Sequence, residues 1–307
     1  MTEEKSKTEQ SIIEINMDLV SDSELMLYFD SGLLDHEIVT YARDAYEASF
    51  IEENGERLTA VIHILDETYD NYKIGDMPKS LPLLFVVSDS AILVLTNHKT
   101  SAQFARIRSD LSQHKSNKVL LFEAIMLLTK AYFKLMEKII TLRDDVIKDL
   151  QKRPRKENIA KLAKLQSGSV YLLMAAQQNA DMLKDFNNLS SYEASSDEEK
   201  EVFTDAIIES RQLYQMTSLH ERLLNEIASS YNNVLSNRLN DNITNLTILS
   251  IGLAIVTAVS SFYGMNIKLP FAKVDIVWLL ITVISSLVAF ICMVWMRQYV
   301  NKDHDDD

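Results

Sequence analysis

The C-terminal part of the chain contains two long apolar segments. Residues 242–267 and 276–296 carry no Asp, Glu, Lys or Arg. At a helical rise of about 1.5 Å per residue, each segment is long enough to cross the ~30 Å hydrocarbon core of a bilayer. The pattern therefore predicts a membrane-spanning helix over 242–263, a loop over 264–275 and a second spanning helix over 276–296. Residues 297–307 follow as a polar cytoplasmic tail.

The middle of the chain, residues 119–241, has the apolar periodicity of helices. Apolar residues recur every three or four positions over 120–152 and again over 158–186, which predicts two long antiparallel helices. Ser196 is a suitable N-cap, and three acids follow it in the first turn of a third helix. No proline interrupts this helix, so we expect it to cover 196–241 and to continue into the first membrane span. It would be about 67 residues long, or roughly 100 Å.

Residues 1–118 show the short alternating pattern of strands together with short helices, and predict a single α/β domain. The dipeptide Asn54-Gly55 favours a tight hairpin turn between two strands. Branched residues on either side of residues 88–90 predict a second hairpin. The expected strands are 49–53, 57–65, 83–87 and 91–95, and the expected helices are 22–30, 35–43 and 101–113. Pro82 is expected to precede the third strand, because proline cannot donate to a strand ladder.

The predicted fold class is therefore α+β, with a cytoplasmic α/β domain, a long helical stalk and two C-terminal transmembrane helices. The chain has 31 Lys and Arg against 44 Asp and Glu, a formal net charge of −13. Residues 1–118 hold 21 acids and 11 bases, so most of this charge lies in the N-terminal domain. Negative charge repels phosphates, which argues against nucleic acid as a partner. The polar N-terminus lacks the apolar core of a signal peptide, and we expect this region to stay in the cytoplasm.

Few residues suit catalysis or tight metal binding. Cys292 is the only cysteine, which excludes an intrachain disulfide and a thiolate zinc cluster. The six histidines are scattered, and the chain shows no phosphate-binding loop, activated nucleophile or pair of catalytic carboxylates. The sequence therefore predicts a protein that is not an enzyme and that uses no organic cofactor.

The first apolar segment carries a row of mostly small or polar residues, which we call the polar stripe. Its members recur at steps of three or four, which places them along one face of the helix. They are Asn240, Ile243, Thr247, Ser250, Ala254, Thr257, Ser261 and Gly264. One interpretation is a helix–helix contact, since small residues let membrane helices approach closely. Another is a pore wall, in which hydroxyl and amide groups replace water around an ion, and the two interpretations are compatible.

The first apolar segment ends in the motif Tyr263-Gly264-Met265-Asn266, and a short loop and the second span follow. In this position the motif resembles the signature of the CorA family of magnesium transporters. The resemblance implies a funnel-shaped homopentamer in which five copies of the first span line one pore. The four motif residues would form the outer mouth, and five Asn266 amide oxygens would accept a hydrated Mg²⁺.

The same resemblance implies which residues line the pore. These are Asn240, Ile243, Leu246, Thr247, Ser250, Ala254, Thr257 and Ser261. Ile243 and Leu246 resemble an apolar constriction that closes the pore by dewetting. Ala254 departs from the family, which often has a larger apolar side chain there, so a second constriction is not expected.

The resemblance also implies regulation by Mg²⁺ bound between neighbouring cytoplasmic domains, which holds the pore closed. Counting back from the pore helix, Asp205 falls near the family's regulatory carboxylate on the stalk. Its partner is expected on the adjacent N-terminal domain. The candidates are Asp66, Glu67, Asp70, Asp76 and Asp89. A ring of acidic domains would repel itself without counter-ions, and divalent cations would relieve that repulsion.

The sequence thus predicts a channel for Mg²⁺ uptake across a bacterial plasma membrane, with both termini in the cytoplasm. Mg²⁺ would be the transported ion and the regulatory ligand, and Co²⁺ and Ni²⁺ are alternative cargoes. A Zn²⁺ transporter like the ZntB branch is a second alternative, although such relatives tend to replace the methionine that Met265 retains. A different class is a membrane-anchored coiled-coil scaffold without transport. The loop after Asn266 departs from the family, because it carries Lys268 and Lys273 and no acid before Asp275.

Overall fold

A five-stranded mixed sheet forms the centre of the N-terminal domain. The computed structural model describes residues 11–66, 79–111, 115–152, 156–265 and 276–305. The strands are β1 Ser11–Asn16, β2 Phe50–Asn54, β3 Arg57–Leu65, β4 Ser80–Val87 and β5 Ala91–Thr96. Their spatial order is β1-β5-β4-β3-β2, and all neighbours are antiparallel except β1 and β5. Both predicted hairpins are confirmed, and Gly55 takes the positive φ of 64° that its turn requires.

Pro82 lies inside β4, so the prediction that it precedes the strand is wrong. It is in register with His63 of β3, whose backbone N–H and C=O bond the Asn179 side chain instead of β4. In such a pair the backbone groups of both residues point away from each other. On its other side, β4 pairs with β5 only from Leu84 onward. The missing N–H of Pro82 therefore costs the sheet no hydrogen bond.

Three short helices accompany the sheet: α1 Asp22–Asp30, α2 His36–Arg43 and α3 Thr100–Arg108. Ser21 and Glu24 form a reciprocal capping box at the start of α1. Asp35 caps α2 by accepting a hydrogen bond from the backbone N–H of Ile38, and it also pairs with Arg57 at 2.9 Å. The predicted extension of the third helix to residue 113 is wrong, because α3 ends at Arg108.

The sheet separates two hydrophobic clusters because successive strand residues face opposite sides. On one side Val61, Leu84 and Leu93 pack with Leu25 of α1 and Ile38 of α2. On the other side strand residues pack with residues of α3 and of the long helices described next, including Phe104, Phe122, Phe186 and Phe203. The strand-rich part of the chain before residue 118 and the helical part after it therefore contribute to the same hydrophobic cluster.

The long helices are α4 Asn117–Lys152, α5 Lys156–Asp185, α7 Asp197–Tyr263 and α8 Val277–Asp305. A 3₁₀ turn, Phe186–Asn188, and the four-residue helix α6 Ser190–Glu193 connect α5 to α7. The helix α7 begins and ends where the sequence predicted, and its 67 residues continue through Gly252 without a break. Ser196 and Glu199 cap its first turn, with Glu199 N–H donating to Ser196 Oγ and Ser196 N–H donating to Glu199 Oε2.

The chain divides into two compact units, Met1–Ala228 and Ser229–Asp307. The first contains the sheet, α1 to α6 and the N-terminal part of α7. The second contains the rest of α7 and α8, and each unit is described by itself below.

Candidate functional site

The apolar end of α7 and the helix α8 are the two candidate membrane spans. The most apolar 18 residues of the two helices have mean hydropathies of 1.9 and 2.5. Only 6 % of this stretch of α7 and 11 % of this stretch of α8 is buried within the chain. The least exposed residue of this part of α7 is Gly252, which lies against Met293 of α8. Among the α8 side chains that the structure describes, Ser285 and Ala289 are buried. Small residues therefore let the two helices approach on this side.

The polar stripe lies on the other side of α7. At about 100° per residue, the stripe residues from Ile243 to Ser261 are turned roughly 140–180° away from Gly252. Every stripe residue is exposed in the single chain. The structure therefore brings the predicted pore-lining residues together on one open face, and Leu246 lies at the edge of that face, about 60° to one side.

Three hydroxyl groups of the stripe make the same local hydrogen bond. Thr247, Ser250 and Thr257 each donate to the backbone carbonyl four residues earlier, at 2.8 Å. Because the hydroxyl proton is used inside the helix, each side chain presents an oxygen lone pair outward. The face thus offers acceptors, which suit the positive ends of water around a cation.

The predicted outer mouth begins where α7 ends. Gly264 N–H donates to the Ser260 carbonyl at 3.0 Å, so the helical hydrogen bonding continues past Tyr263. Tyr263, Gly264 and Met265 are exposed. Asn266, the fourth residue of the motif, lies outside the described residues, and the structure therefore adds nothing to its predicted role.

The candidate regulatory acids lie on different elements of the first unit. Asp205 is exposed on α7, and Asp89 is exposed in the turn between β4 and β5. Asp66 is buried at the end of β3, and its carboxylate lies 3.3 Å from Lys99 Nζ, an arrangement that suits a structural ion pair. Asp70, Glu67 and Asp76 lie outside the described residues. Within the described ranges, no group of three or more His, Cys, Asp or Glu is placed to hold a metal ion.

A polar cavity of about 500 Å³ adjoins Asp89 and contains groups that the sequence did not single out. Glu53 and Glu199 line it. Hydrogen bonds from Ser190 and Ser191 outweigh desolvation and lower the pKa of Glu53. Glu199 accepts a hydrogen bond from Ser116 Oγ at 2.6 Å. No sequence signal identifies this cavity, because its lining comes from segments far apart in the chain.

The sequence model of the family described as "CorA-like Mg2+ transporter protein" matches residues 30–298, most of the chain. The chain belongs to this CorA-like family. Among solved structures, the complete CorA magnesium transporter from Methanocaldococcus jannaschii is similar, with a TM-score of 0.74 and 17 % identity over 93 % of this chain and 89 % of that one. The full-length CmaX protein gives a TM-score of 0.70 and 13 % identity over 95 % and 90 %.

The cytoplasmic domain of ZntB from Vibrio parahaemolyticus is similar over a smaller part, with a TM-score of 0.55 and 8 % identity over 75 % of this chain and 88 % of that one. Among curated protein sequences, none matches the chain. The CorA-like family confirms the predicted fold class, with an α/β domain, a long helix and two C-terminal apolar helices. It also confirms that the protein is a membrane-embedded ion transporter and not an enzyme.

Proposed function

We propose that this CorA-like transporter is a homopentameric channel for Mg²⁺, with the polar stripe of α7 facing the pore. The observation that carries the proposal is the position of the stripe, exposed and turned away from the contact with α8. Hydroxyl groups facing hydrocarbon raise the free energy of a membrane helix, so a polar face needs a polar surrounding. A water-filled axis between several copies of α7 provides it.

The chemistry of the stripe favours a hard cation. Its polar side chains are hydroxyls and amides, and it contains neither cysteine nor histidine. Mg²⁺ prefers oxygen ligands and gives up its water reluctantly, whereas Zn²⁺ is bound mainly by sulfur and nitrogen. Neutral oxygens that contact the hydration shell hold Mg²⁺ weakly enough to let it leave. Co²⁺ and Ni²⁺ passing the same face are the nearest alternatives, and Zn²⁺ is less favoured.

The outer mouth of the proposed pore is the segment Tyr263 to Asn266. Five Asn266 amides around the axis would offer a ring of neutral oxygen acceptors, and the apolar ring of Ile243 would close the other end. Both termini would then lie in the cytoplasm, with the acidic first unit on that side. Uptake would follow the membrane potential, since each Mg²⁺ carries two charges inward.

A flux assay tests this proposal. The protein is reconstituted in liposomes, and uptake of Mg²⁺, Co²⁺, Ni²⁺ and Zn²⁺ is compared for wild type, Asn266→Ala and Asn245→Ala. Asn245 is the control, since it has the same amide side chain as Asn266 but lies on the side of α7 that faces away from the stripe. We expect Mg²⁺ uptake that Asn266→Ala abolishes and Asn245→Ala retains. No flux of any ion from the wild type would favour the scaffold, and Zn²⁺ uptake alone would favour the ZntB-like alternative.

A further inference from the structure

A shallow apolar groove lies between α7 and α8 on one side of the polar stripe. Its volume is about 250 Å³, far larger than the ~30 Å³ share of one water molecule. It is lined by Ile243, Thr244, Thr247, Ile248, Ile251, Trp295, Met296 and Tyr299. Trp295 and Tyr299 are 64 % and 61 % exposed, and their rings contact each other with centroids 6.0 Å apart. Because Ile243 and Thr247 also belong to the stripe, the groove opens along the edge of the stripe.

The opposite edge of the stripe carries a ridge of large apolar side chains. This leucine ridge consists of Leu246, Leu249 and Leu253, which are 65 %, 51 % and 60 % exposed. At about 100° per residue, the ridge lies roughly 60–120° to one side of the stripe, and Ile251 of the groove lies about 80° to the other. Leu246 and Leu249 lie within the part of α7, residues 243–251, that also lines the groove. The membrane part of α7 thus has two different apolar flanks with a polar face between them.

This arrangement has a simple consequence for assembly. A contact between a ridge on one copy and a groove on the next is heterologous, and heterologous contacts repeat around a closed ring. The polar stripe, which lies between the two flanks, would then point towards the ring axis in every copy. A contact of ridge with ridge would be isologous, would stop at a dimer and would leave one flank of the stripe open to lipid.

We propose that Leu246 and Leu249 of one subunit occupy the groove formed by α7 and α8 of the next subunit, with Trp295 and Tyr299 closing over them. This places Leu246 in a contact between subunits instead of in the pore constriction that the resemblance implies for it, and leaves Ile243 to form that constriction. This inference rests on the proposed function, since it requires several copies around one axis. It goes further by assigning the two contacting surfaces and by giving α8 a part in joining subunits. The family is oligomeric, and this contact is continuous with the polar face that an oligomer must enclose.

Disulfide crosslinking in native membranes tests the contact. In a Cys292→Ser background, Leu249→Cys is combined with Ile251→Cys, and an oxidant is added before denaturing electrophoresis. The ridge cysteine of each subunit should meet the groove cysteine of the next, since disulfides need Cα atoms within about 7 Å. We expect a ladder that extends to the full oligomer. The matched control combines Leu249→Cys with Leu287→Cys, which lies on the side of α8 away from α7 and should give only monomers.

Other outcomes overturn the inference. If Leu249→Cys alone crosslinks to a dimer, the contact is isologous. If the double variant stays monomeric on the gel while native mass measurement shows an intact oligomer, the contact is wrong and the proposed homo-oligomer stands. If native mass shows only monomers for the wild type as well, the proposed oligomer and this contact both fail. A second pair, Leu246→Cys with Trp295→Cys, repeats the test should the first pair disturb assembly.

Discussion

Gly252 of α7 lies directly against Met293 of α8. A Cβ atom added to Gly252 would be only 2.5 Å from Met293 Sδ and 2.9 Å from its Cγ. Real Cβ atoms do not approach so closely, so one of the two side chains must change. Since Gly252 is also the only glycine inside α7, its absence of a side chain is explained by this contact rather than by a break in the helix.

We therefore expect Gly252→Ala to weaken the pairing of α7 with α8. Forcing an extra methyl group into the space of a neighbouring side chain costs about 1–3 kcal/mol, and the flexible methionine should keep the cost at the lower end. Gly252→Leu should cost more, because a larger group cannot be accommodated by moving Met293 alone. The measurement is the thermal unfolding of the purified protein in detergent.

The matched control for this prediction is the double variant Gly252→Ala with Met293→Ala. Removing the long side chain leaves room for the new methyl group, so most of the lost stability should return. If the double variant is less stable than either single variant, the contact does not explain the glycine.

The two adjacent serines near the outer end of α7 should differ in their effect on transport. Ser261 belongs to the polar stripe, whereas Ser260 is turned about 100° away from it. Loss of one neutral hydrogen bond costs about 1 kcal/mol, which corresponds to about a fivefold change in rate. We expect Ser261→Ala to lower Mg²⁺ flux in liposomes by about that factor or more, and Ser260→Ala to leave it unchanged. Equal effects of both variants would contradict the assignment of the stripe to the pore.

The side chain of Asn179 replaces a missing strand at the edge of β3. It is 2 % exposed, accepts hydrogen bonds from His63 N–H at 2.9 Å and Ser49 Oγ at 2.8 Å, and donates to the His63 carbonyl at 2.8 Å. The pairing of β2 with β3 ends before His63, so Asn179 satisfies backbone groups that have lost their strand partner. Tyr132 OH also donates to the His63 carbonyl.

Asn179→Ala should therefore destabilise the first unit by about 1–3 kcal/mol, since it leaves the His63 N–H buried without a partner. Asn188→Ala is the matched control, because Asn188 is exposed near the end of the same helical region and should change little. Thermal unfolding of the full-length protein compares the two. Similar melting temperatures for both variants would show that the bridge to His63 contributes nothing.

The sequence predicted those elements whose signals are local. The N-cap Ser196 and the absence of proline defined all 67 residues of α7, and Asn54-Gly55 defined the first hairpin. The strand β1 was not predicted, because its six residues gain their partner only from β5, which lies 75 or more residues later in the chain. Pro82 was misplaced for a related reason: whether a strand tolerates proline depends on which neighbours flank it, and that is a property of the folded sheet.

The site shows the same division between local and long-range signals. The spacing of three and four from Ile243 to Ser261 was enough to place these residues on one face. The contact of Gly252 with Met293, and the groove beside Trp295, depend on how α7 meets α8 and have no signal within either segment alone. The outer mouth at Asn266 remains a prediction from the resemblance.

The capping box at the start of α7 should make stability depend on pH. Burial alone would raise the pKa of Glu199, but hydrogen bonds from Ser116 and from Ser196 outweigh it and lower the pKa below its usual 4.5. A lowered pKa in the folded state gives stability that is present above the usual value and is lost as the pH falls through the folded value. Glu199→Gln should therefore lower the melting temperature at pH 7, and this difference should shrink as the pH falls below the usual 4.5 and through the lowered pKa of the folded state.

The neighbouring acid supplies the control for this pH effect. Glu198 is 64 % exposed and lies 3.8 Å from Lys115, so Glu198→Gln should change the melting temperature little at any pH. If Glu198→Gln shows the same pH-dependent difference as Glu199→Gln, the effect comes from net charge and not from the hydrogen bonds of Glu199.

Regulation by Mg²⁺ remains a proposal, and Asp205 is the residue that tests it. Its carboxylate is exposed on α7 within the acidic first unit, where a cation shared with another subunit could reach it. We expect Mg²⁺ to protect the wild-type protein from proteolysis and Asp205→Lys to raise the half-protecting concentration at least about tenfold, a loss of ~1.4 kcal/mol in binding. Glu201→Lys makes the same charge change one turn earlier on the same helix and should shift the concentration much less. Unchanged protection in Asp205→Lys would remove this carboxylate from the regulatory site, and equal shifts in both variants would indicate a general response to charge.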